Sequence, residues 1–193
     1  MLGTIIGNIA GTLTSTVCEQ LYQAALKVPN KGAILDLNCG LGRSTVVLAK
    51  ALSQQREGLV IAVDGHITQP RSQTPYQDGT TMKFLINLRK FQVTHRVVPL
   101  VCPVGIAANI VGKRCANLVV VQSPQTSEGQ YSEDAMHEAL GIAKSALRKG
   151  GQIAVCCPNP LFADAVTNLV DMHFAKGFTK VVSTPELCIV EGA

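Results

Sequence analysis

The chain has 193 residues, 47% of them hydrophobic, with 17 basic against 13 acidic side chains and a formal net charge of +4. That length fits one domain burying one sizeable core, and a modest positive charge scattered along the chain gives no argument for nucleic acid binding. Aromatic residues make up only 4%, with no tryptophan; the apolar content is therefore mostly Val, Ile, Leu and Ala, which suits buried parallel strands covered by helices.

Seven cysteines stand at Cys18, Cys39, Cys102, Cys115, Cys156, Cys157 and Cys188, with no Cys-x-x-Cys pair. An odd count without that spacing suggests neither a disulfide framework nor a zinc knuckle, and it points to a reducing, cytoplasmic setting. The apolar stretch Met1 to Ala10 lacks the basic start of a secretory signal, and no apolar run approaches the ~20 residues of a membrane helix.

In chain order, Leu13, Val17, Leu21, Ala24 and Ala25 recur at three- and four-residue steps, predicting an amphipathic helix from about Ile9 to Leu26. Val28-Pro29-Asn30-Lys31-Gly32 stops it. Ala33 to Leu37 reads as a first strand, and a glycine-containing loop leads into a helix over Ser44 to Ser53. Leu59 to Val63 reads as a second strand, and the polar stretch Thr68 to Gly79 as an exposed loop. Thr80 to Phe91 has helical spacing, Arg96 to Val101 follows as a third strand, and Ile106 to Val111 as a short helix. The β-branched run Asn117 to Val121 is a fourth strand. A helix over Ser132 to Leu147 is predicted to end at Lys149-Gly150-Gly151, with glycine in the left-handed cap. Gln152 to Cys156 is strand five, Leu161 to Ala175 a helix, and Thr179 to Val182 and Leu187 to Val190 two closing strands. Strands alternating with helices and then meeting in a hairpin predict a doubly wound, Rossmann-like α/β fold, with a mostly parallel seven-stranded sheet and an antiparallel C-terminal hairpin. The whole of 1–193 reads as one domain, with an N-terminal helical segment over 1–31 and the α/β core over 32–193.

The run Ile34-Leu35-Asp36-Leu37-Asn38-Cys39-Gly40-Leu41-Gly42-Arg43-Ser44-Thr45 carries the functional signal. A glycine loop between a first strand and a first helix lets backbone amides approach a nucleotide-like ligand at the carboxyl end of the sheet. The run lacks the Gly-x-Gly-x-x-Gly of dinucleotide binding and the Gly-Lys-Ser/Thr of a P-loop. It resembles the first motif of class I S-adenosylmethionine-dependent methyltransferases, an acid at the end of strand one followed by Gly-x-Gly-x-Gly. Asp36 matches the acid, Gly40 and Gly42 the second and third glycines, and Asn38 replaces the first; Asn tolerates the left-handed region next best after glycine. Asp64 stands where the family places an acid against the ribose hydroxyls, and a carboxylate suits a diol because it only accepts. Phe84 to Leu88, Val97 to Leu100 and Leu147 to Gly151 are similar to the small-molecule and sugar O-methyltransferase subgroup. The resemblance implies S-adenosyl-L-methionine as cofactor, held by Asp36, Asn38, Cys39, Gly40, Gly42, Ser44, Asp64, Gly65, Cys102, Pro103 and Gln122.

Metal-using members of that subgroup carry acids at the ends of strands four and five, where this chain has Gln122 and Cys157. A neutral amide and a soft thiol do not suit Mg²⁺, so no metal is expected. Transfer from a sulfonium needs alignment more than a metal. His66, Tyr131 and His137 are the candidate catalytic or substrate-orienting side chains. Each has a plainer reading: His66 at the adenine edge or in water, His137 as a solvated side chain near Glu133 and Lys144, Tyr131 as packing. His95 and His173 show no companions in the sequence. Cys156-Cys157, on adjacent strand positions, should place one thiol on each face of the sheet. Gln122-Ser123-Pro124-Gln125 matches the Asn-Pro-Pro-Tyr loop of amino-directed methyltransferases in too few positions to name a nucleobase. The expected activity is metal-independent methyl transfer to a small-molecule acceptor entering over Thr68 to Gly79 and Pro124 to Gln130, with nucleic acid and membrane unexpected and a homo-oligomer left open. The rival is a protein that keeps the fold as a binding or scaffold module without the chemistry.

Overall fold

The alternation of strands and helices produces a seven-stranded sheet in the order β3-β2-β1-β4-β5-β7-β6. The computed structural model describes residues 2–54, 57–65, 80–124 and 131–193. The elements are α1 (Leu2–Asn8), α2 (Ser15–Leu26), β1 (Ala33–Leu37), α3 (Arg43–Leu52), β2 (Leu59–Asp64), α4 (Thr80–Lys90), β3 (Val97–Val101), α5 (Val104–Ala107), β4 (Ala116–Gln122), α6 (Glu133–Ala146), β5 (Leu147–Cys156), α7 (Ala163–Phe174), β6 (Phe178–Ser183) and β7 (Leu187–Gly192). Strands β1 to β5 pair in parallel, whereas β7 runs antiparallel to both β5 and β6. The chain thus leaves the parallel sheet through a hairpin, as the two closing strands predict. Proline at position 99 sits in β3, an edge strand, where a missing amide interrupts no central ladder.

Because side chains alternate across a strand, residue parity sorts the core. Ile34, Val60, Leu118 and Ala154 pack with α1, α2, α3 and α4 on one face. Leu35, Val63, Val119 and Ile153 pack with α5, α6 and α7 on the other. Cys156 joins the first cluster and Cys157 the second.

The short helix expected over Ile106 to Val111 lies earlier, as α5 over Val104–Ala107, and two further boundaries depart from the sequence reading with a structural cause. The helix predicted over Ile9 to Leu26 begins only at Ser15, as α2, and a separate helix, α1, precedes the stretch and ends at Asn8. Thr14 caps α2 by accepting from the Val17 amide, and its hydroxyl donates to Glu186 Oε2 at 2.8 Å in the β6–β7 turn. Between the helices, Arg43 fills the break. Its guanidinium donates to the carbonyls of Ile6 (3.2 Å), Leu13 (2.7 Å) and Ile9. The carbonyls that a continuous helix would have satisfied are met by a charged side chain from α3 instead. Arg43→Ala should therefore lower stability by about 2 kcal/mol, since hydrogen bonds to a charged donor contribute about 1.5–3 kcal/mol each and some are replaced by water. Amide exchange should report the loss in α1 first, and unchanged protection there would refute it.

The second departure lies at the end of α6. Leu147 is already extended (ψ 132°), so the helix passes straight into β5 without a left-handed cap. Gly150 does take a positive φ of 69°, but inside β5, where the pairing with β4 shifts register between Ala116–Leu147 and Leu118–Gln152. The Lys149-Gly150-Gly151 turn is thus a bulge in the strand, and Gly151 is needed because a Cβ there would lie 2.7 Å from the Asn117 carbonyl.

Candidate functional site

Parity also decides which strand-end residues face one another. Asp36, Asp64 and Gln122 share the even-numbered face of β1, β2 and β4, the face covered by α3, and each lies at or near the carboxyl end of its strand. Neighbouring parallel strands therefore bring them together around the loop that joins β1 to α3.

That loop is built on left-handed backbone. Asn38 has φ 59°, Gly40 φ 53° and Gly42 φ 87°, so the asparagine takes the first glycine's conformation as its tolerance predicts. The Asn38 amide donates to the Val63 carbonyl at 2.9 Å, and its Nδ2 to the Gln122 carbonyl at 3.0 Å, tying the loop to β2 and β4. The Gly40 amide donates to Asp64 Oδ2 at 2.6 Å. A Cβ on Gly40 would meet nothing within 4 Å, whereas one on Gly42 would stand 2.8 Å from the buried Phe84 ring of α4. Asn87 of α4 donates to the Leu41 carbonyl at 2.9 Å, fixing the far side of the turn.

Asp36 is fully buried beneath the loop. Its Oδ2 accepts from Ser44 Oγ at 2.8 Å and from Thr45 Oγ1 at 2.7 Å, while Gln122 Nε2 donates to Ser44 Oγ at 2.9 Å. Oδ1 has no hydrogen-bond partner among the described residues. Burial pushes the Asp36 carboxyl up to about 6, the nearby Asp64 charge adds to the rise, and hydrogen bonding from Thr45, Ser44 and the Gln122 amide opposes it. Asp36 thus joins β1 to the first turn of α3 from below. The Gln122 amide is turned back toward α3, and Ser44, also fully buried, is the link between the two. Thr45 belongs to the same network, and the sequence reading did not single it out; a hydroxyl pair eight and nine residues after a strand-end acid was the signal.

The other predicted residues fall as follows. The Cys39 side chain is buried in the α1–α4 cluster, and its thiol is held well above the ordinary range by burial and then by Asp36 and Asp64. Gly65 follows Asp64 at the end of β2. Cys102 packs part-buried against the α5–α7 cluster, and Pro103 caps α5, its carbonyl accepting from Ile106 and Ala107. His66 lies outside the described residues, as do the stretch Thr68 to Gly79 and 125–130 of the predicted entry loops.

Tyr131 stacks on Phe162 with ring centroids 5.3 Å apart, and its hydroxyl is buried with no partner among the described residues. Burial, then Glu133 and Cys157, push that hydroxyl up to about 12, so it is not a base at neutral pH. The Cys157 thiol donates to the Asn159 carbonyl at 3.2 Å and is also raised, chiefly by burial. His137 points to α7, where its Nδ1 meets Nε2 of His173 at 2.9 Å. The absence of companions read for His173 in the sequence is therefore corrected: two histidines 36 residues apart meet because α6 and α7 pack side by side. Burial, then His137 and Lys144, hold His173 below the usual imidazole range.

No protein-family model and no curated protein sequence matches the chain. Solved structures do. An S-adenosylmethionine-dependent O-methyltransferase from Thermotoga maritima superposes with a TM-score of 0.69 at 14% identity, covering 100% of this chain and 71% of that one. Precorrin-6y C5,15-methyltransferase from Geobacter metallireducens gives 0.66 at 13%, covering 97% and 95%. A Clostridium thermocellum protein provisionally assigned as an rRNA methylase gives 0.69 at 16%, covering 94% and 99%. The fold shared with them is that of the class I S-adenosylmethionine-dependent methyltransferases.

Proposed function

We propose that the chain binds S-adenosyl-L-methionine over the loop from Asp36 to Gly42 and transfers its methyl group to a small-molecule acceptor without a metal ion. One observation carries the reading: three left-handed residues, Asn38, Gly40 and Gly42, close the loop onto Asp64 and leave open space at Gly40. The residues fit the group. Asp64 offers carboxylate oxygens to a ribose diol, Asn38 and Gly42 hold the turn that lets a ligand approach the backbone, and Gly40 lacks the Cβ that would intrude. When bound, the sulfonium supplies a methyl group on a good leaving group. This chain's residues then act by position: the Asp36–Ser44–Gln122 network fixes the loop against β4, and Tyr131 and Phe162 form an aromatic wall beside Cys157. Gln122 and Cys157 in place of acids support transfer without a hard cation, and seven unpaired cysteines suit the cytoplasm we infer for it.

A second reading, a fold that binds the cofactor as a scaffold without transferring methyl, is favoured by the side chains offered as bases. Burial pushes the Tyr131 hydroxyl up to about 12, and His137 is engaged with His173. Calorimetry with S-adenosylhomocysteine tests what both readings share. At 100 times its dissociation constant the ligand should stabilise by about 2.7 kcal/mol, a rise of roughly 5–10 °C in Tm for a chain of this size. Asp64→Ala should abolish that rise. No shift up to millimolar ligand would sink both readings; a shift without methyl transfer to any small acceptor would leave the scaffold.

A further inference from the structure

We infer that α4 docks on an anionic membrane surface, with Met82, Leu85 and Ile86 among the lipid chains and Lys83, Arg89 and Lys90 at the headgroups. The inference goes beyond the cofactor reading and does not rest on it. Successive helical residues turn by about 100°, which gathers Thr81, Phe84 and Leu88, the buried residues of α4, on one side. Met82, Leu85 and Ile86 gather on another and are 60%, 39% and 54% exposed. The helix has thus packed one apolar side and left a second in solvent. Lys83 and Lys90 border that stripe and Arg89 extends it, all three exposed. Spacing along the chain pointed away from a membrane because the stripe is visible only once the buried side of α4 is known.

Charge decides the occupant. Between Gly79 and Ser127 stand six of the 17 basic residues and none of the 13 acidic ones. α1 lies beside α4, Lys90 Nζ donating to Asn8 Oδ1 at 2.7 Å, and no charged side chain precedes Glu19. Neither helix therefore carries a charge that repels an anionic surface. A second copy of the chain would set Lys83, Arg89 and Lys90 against their own counterparts. Single-stranded nucleic acid is held by aromatic stacking, and among the described residues the large exposed apolar side chains include no aromatic ring. An anionic lipid surface answers both halves of the pattern: its chains take aliphatic groups in any register, and its headgroups attract lysine and arginine. Among the described residues no helix is long and apolar enough to cross a membrane, so the attachment is peripheral.

The protein has no tryptophan, so Ile86→Trp supplies a single reporter at an exposed position. With vesicles of phosphatidylserine and phosphatidylcholine its emission should move to the blue, and with phosphatidylcholine alone it should not. Met172→Trp, on α7 and 66% exposed, should keep its aqueous spectrum with both. The unaltered protein should sediment with the mixed vesicles, and added salt should release it. Lys83→Gln and Arg89→Gln should each weaken binding about fivefold, the contribution of one basic residue near such a surface. Met82→Ser should weaken it about tenfold, through the apolar area no longer buried. Absence of binding, equal binding to phosphatidylcholine alone, or an equal blue shift at Met172→Trp would overturn the inference. So would self-association without vesicles that Met82→Ser abolishes, which would give the stripe to a second copy. Sedimentation of the unaltered protein decides even if a variant fails to fold.

Discussion

Gly42→Ala is expected to destabilise the protein by about 3 kcal/mol and to abolish binding of an adenosine-type ligand. Two costs add. A non-glycine residue in the left-handed region costs roughly 1–2 kcal/mol, and Gly42 sits there at φ 87°. The new Cβ would also stand 2.8 Å from Phe84 Cδ2 and 3.0 Å from Cε2. Phe84 is 1% exposed inside the α1–α4 cluster, so its ring cannot swing away, and overpacking a core typically costs about 1–3 kcal/mol. Relief would have to come from the loop itself. Moving it displaces the Gly40 amide from Asp64 and the Leu41 carbonyl from Asn87.

Gly40→Ala supplies the internal control. Its φ of 53° carries the same conformational cost, but its Cβ meets nothing within 4 Å, so about 1 kcal/mol is expected. Urea denaturation of the two variants separates the effects; equal losses would show that the Phe84 contact is unimportant. Gly40→Ala should nonetheless weaken a ligand seated over the loop, because the methyl enters the open space.

The difference between these two glycines was not legible in the sequence, where both matched one motif. What sequence does encode is alternation. Val119-Val120-Val121 and Ile34-Leu35 could be read as buried strands because continuous apolar runs of that length need both faces covered, and their spacing between amphipathic helices implied the parallel sheet. Parity along those strands also sufficed to bring Asp36, Asp64 and Gln122 to one face. Contacts between distant elements were beyond local patterns. The spacing of Leu13, Val17 and Leu21 continued past the true start of α2, since nothing nearby says that Arg43, 30 positions on from Leu13, would take the carbonyls of the break. Glycine at 150 has the left-handed backbone expected of it, yet register with β4 placed that turn inside a strand. The His137–His173 pair and the inward turn of the Gln122 amide depend on how helices settle on the sheet, which no local spacing records.

Asp36 bears the second large effect, and its sign runs against intuition for a motif acid. Its carboxyl is raised from 3.8 to about 6 in the folded protein, mainly by burial. The folded state therefore holds this proton more tightly than the unfolded chain does. The resulting contribution is fully present below about pH 3.8, declines as the pH rises, and is gone above about pH 6. Two pH units of difference correspond to about 3 kcal/mol. Asp36→Asn removes the titration and keeps an oxygen to accept from Ser44 and Thr45, but it places an amide N–H₂ where Oδ1 lacks a partner, a cost of about 1–3 kcal/mol at every pH. The variant should thus be less stable than the parent at pH 3 and gain on it by about 3 kcal/mol between pH 3 and pH 7. Chemical denaturation of both proteins at half-unit steps measures the difference directly, and parallel profiles would show that burial does not govern the group. If the gain appears, an ionised Asp36 at neutral pH costs the fold stability. The carboxylate would then be retained for the loop it holds, joined to α3 through Ser44 and to β4 through Gln122.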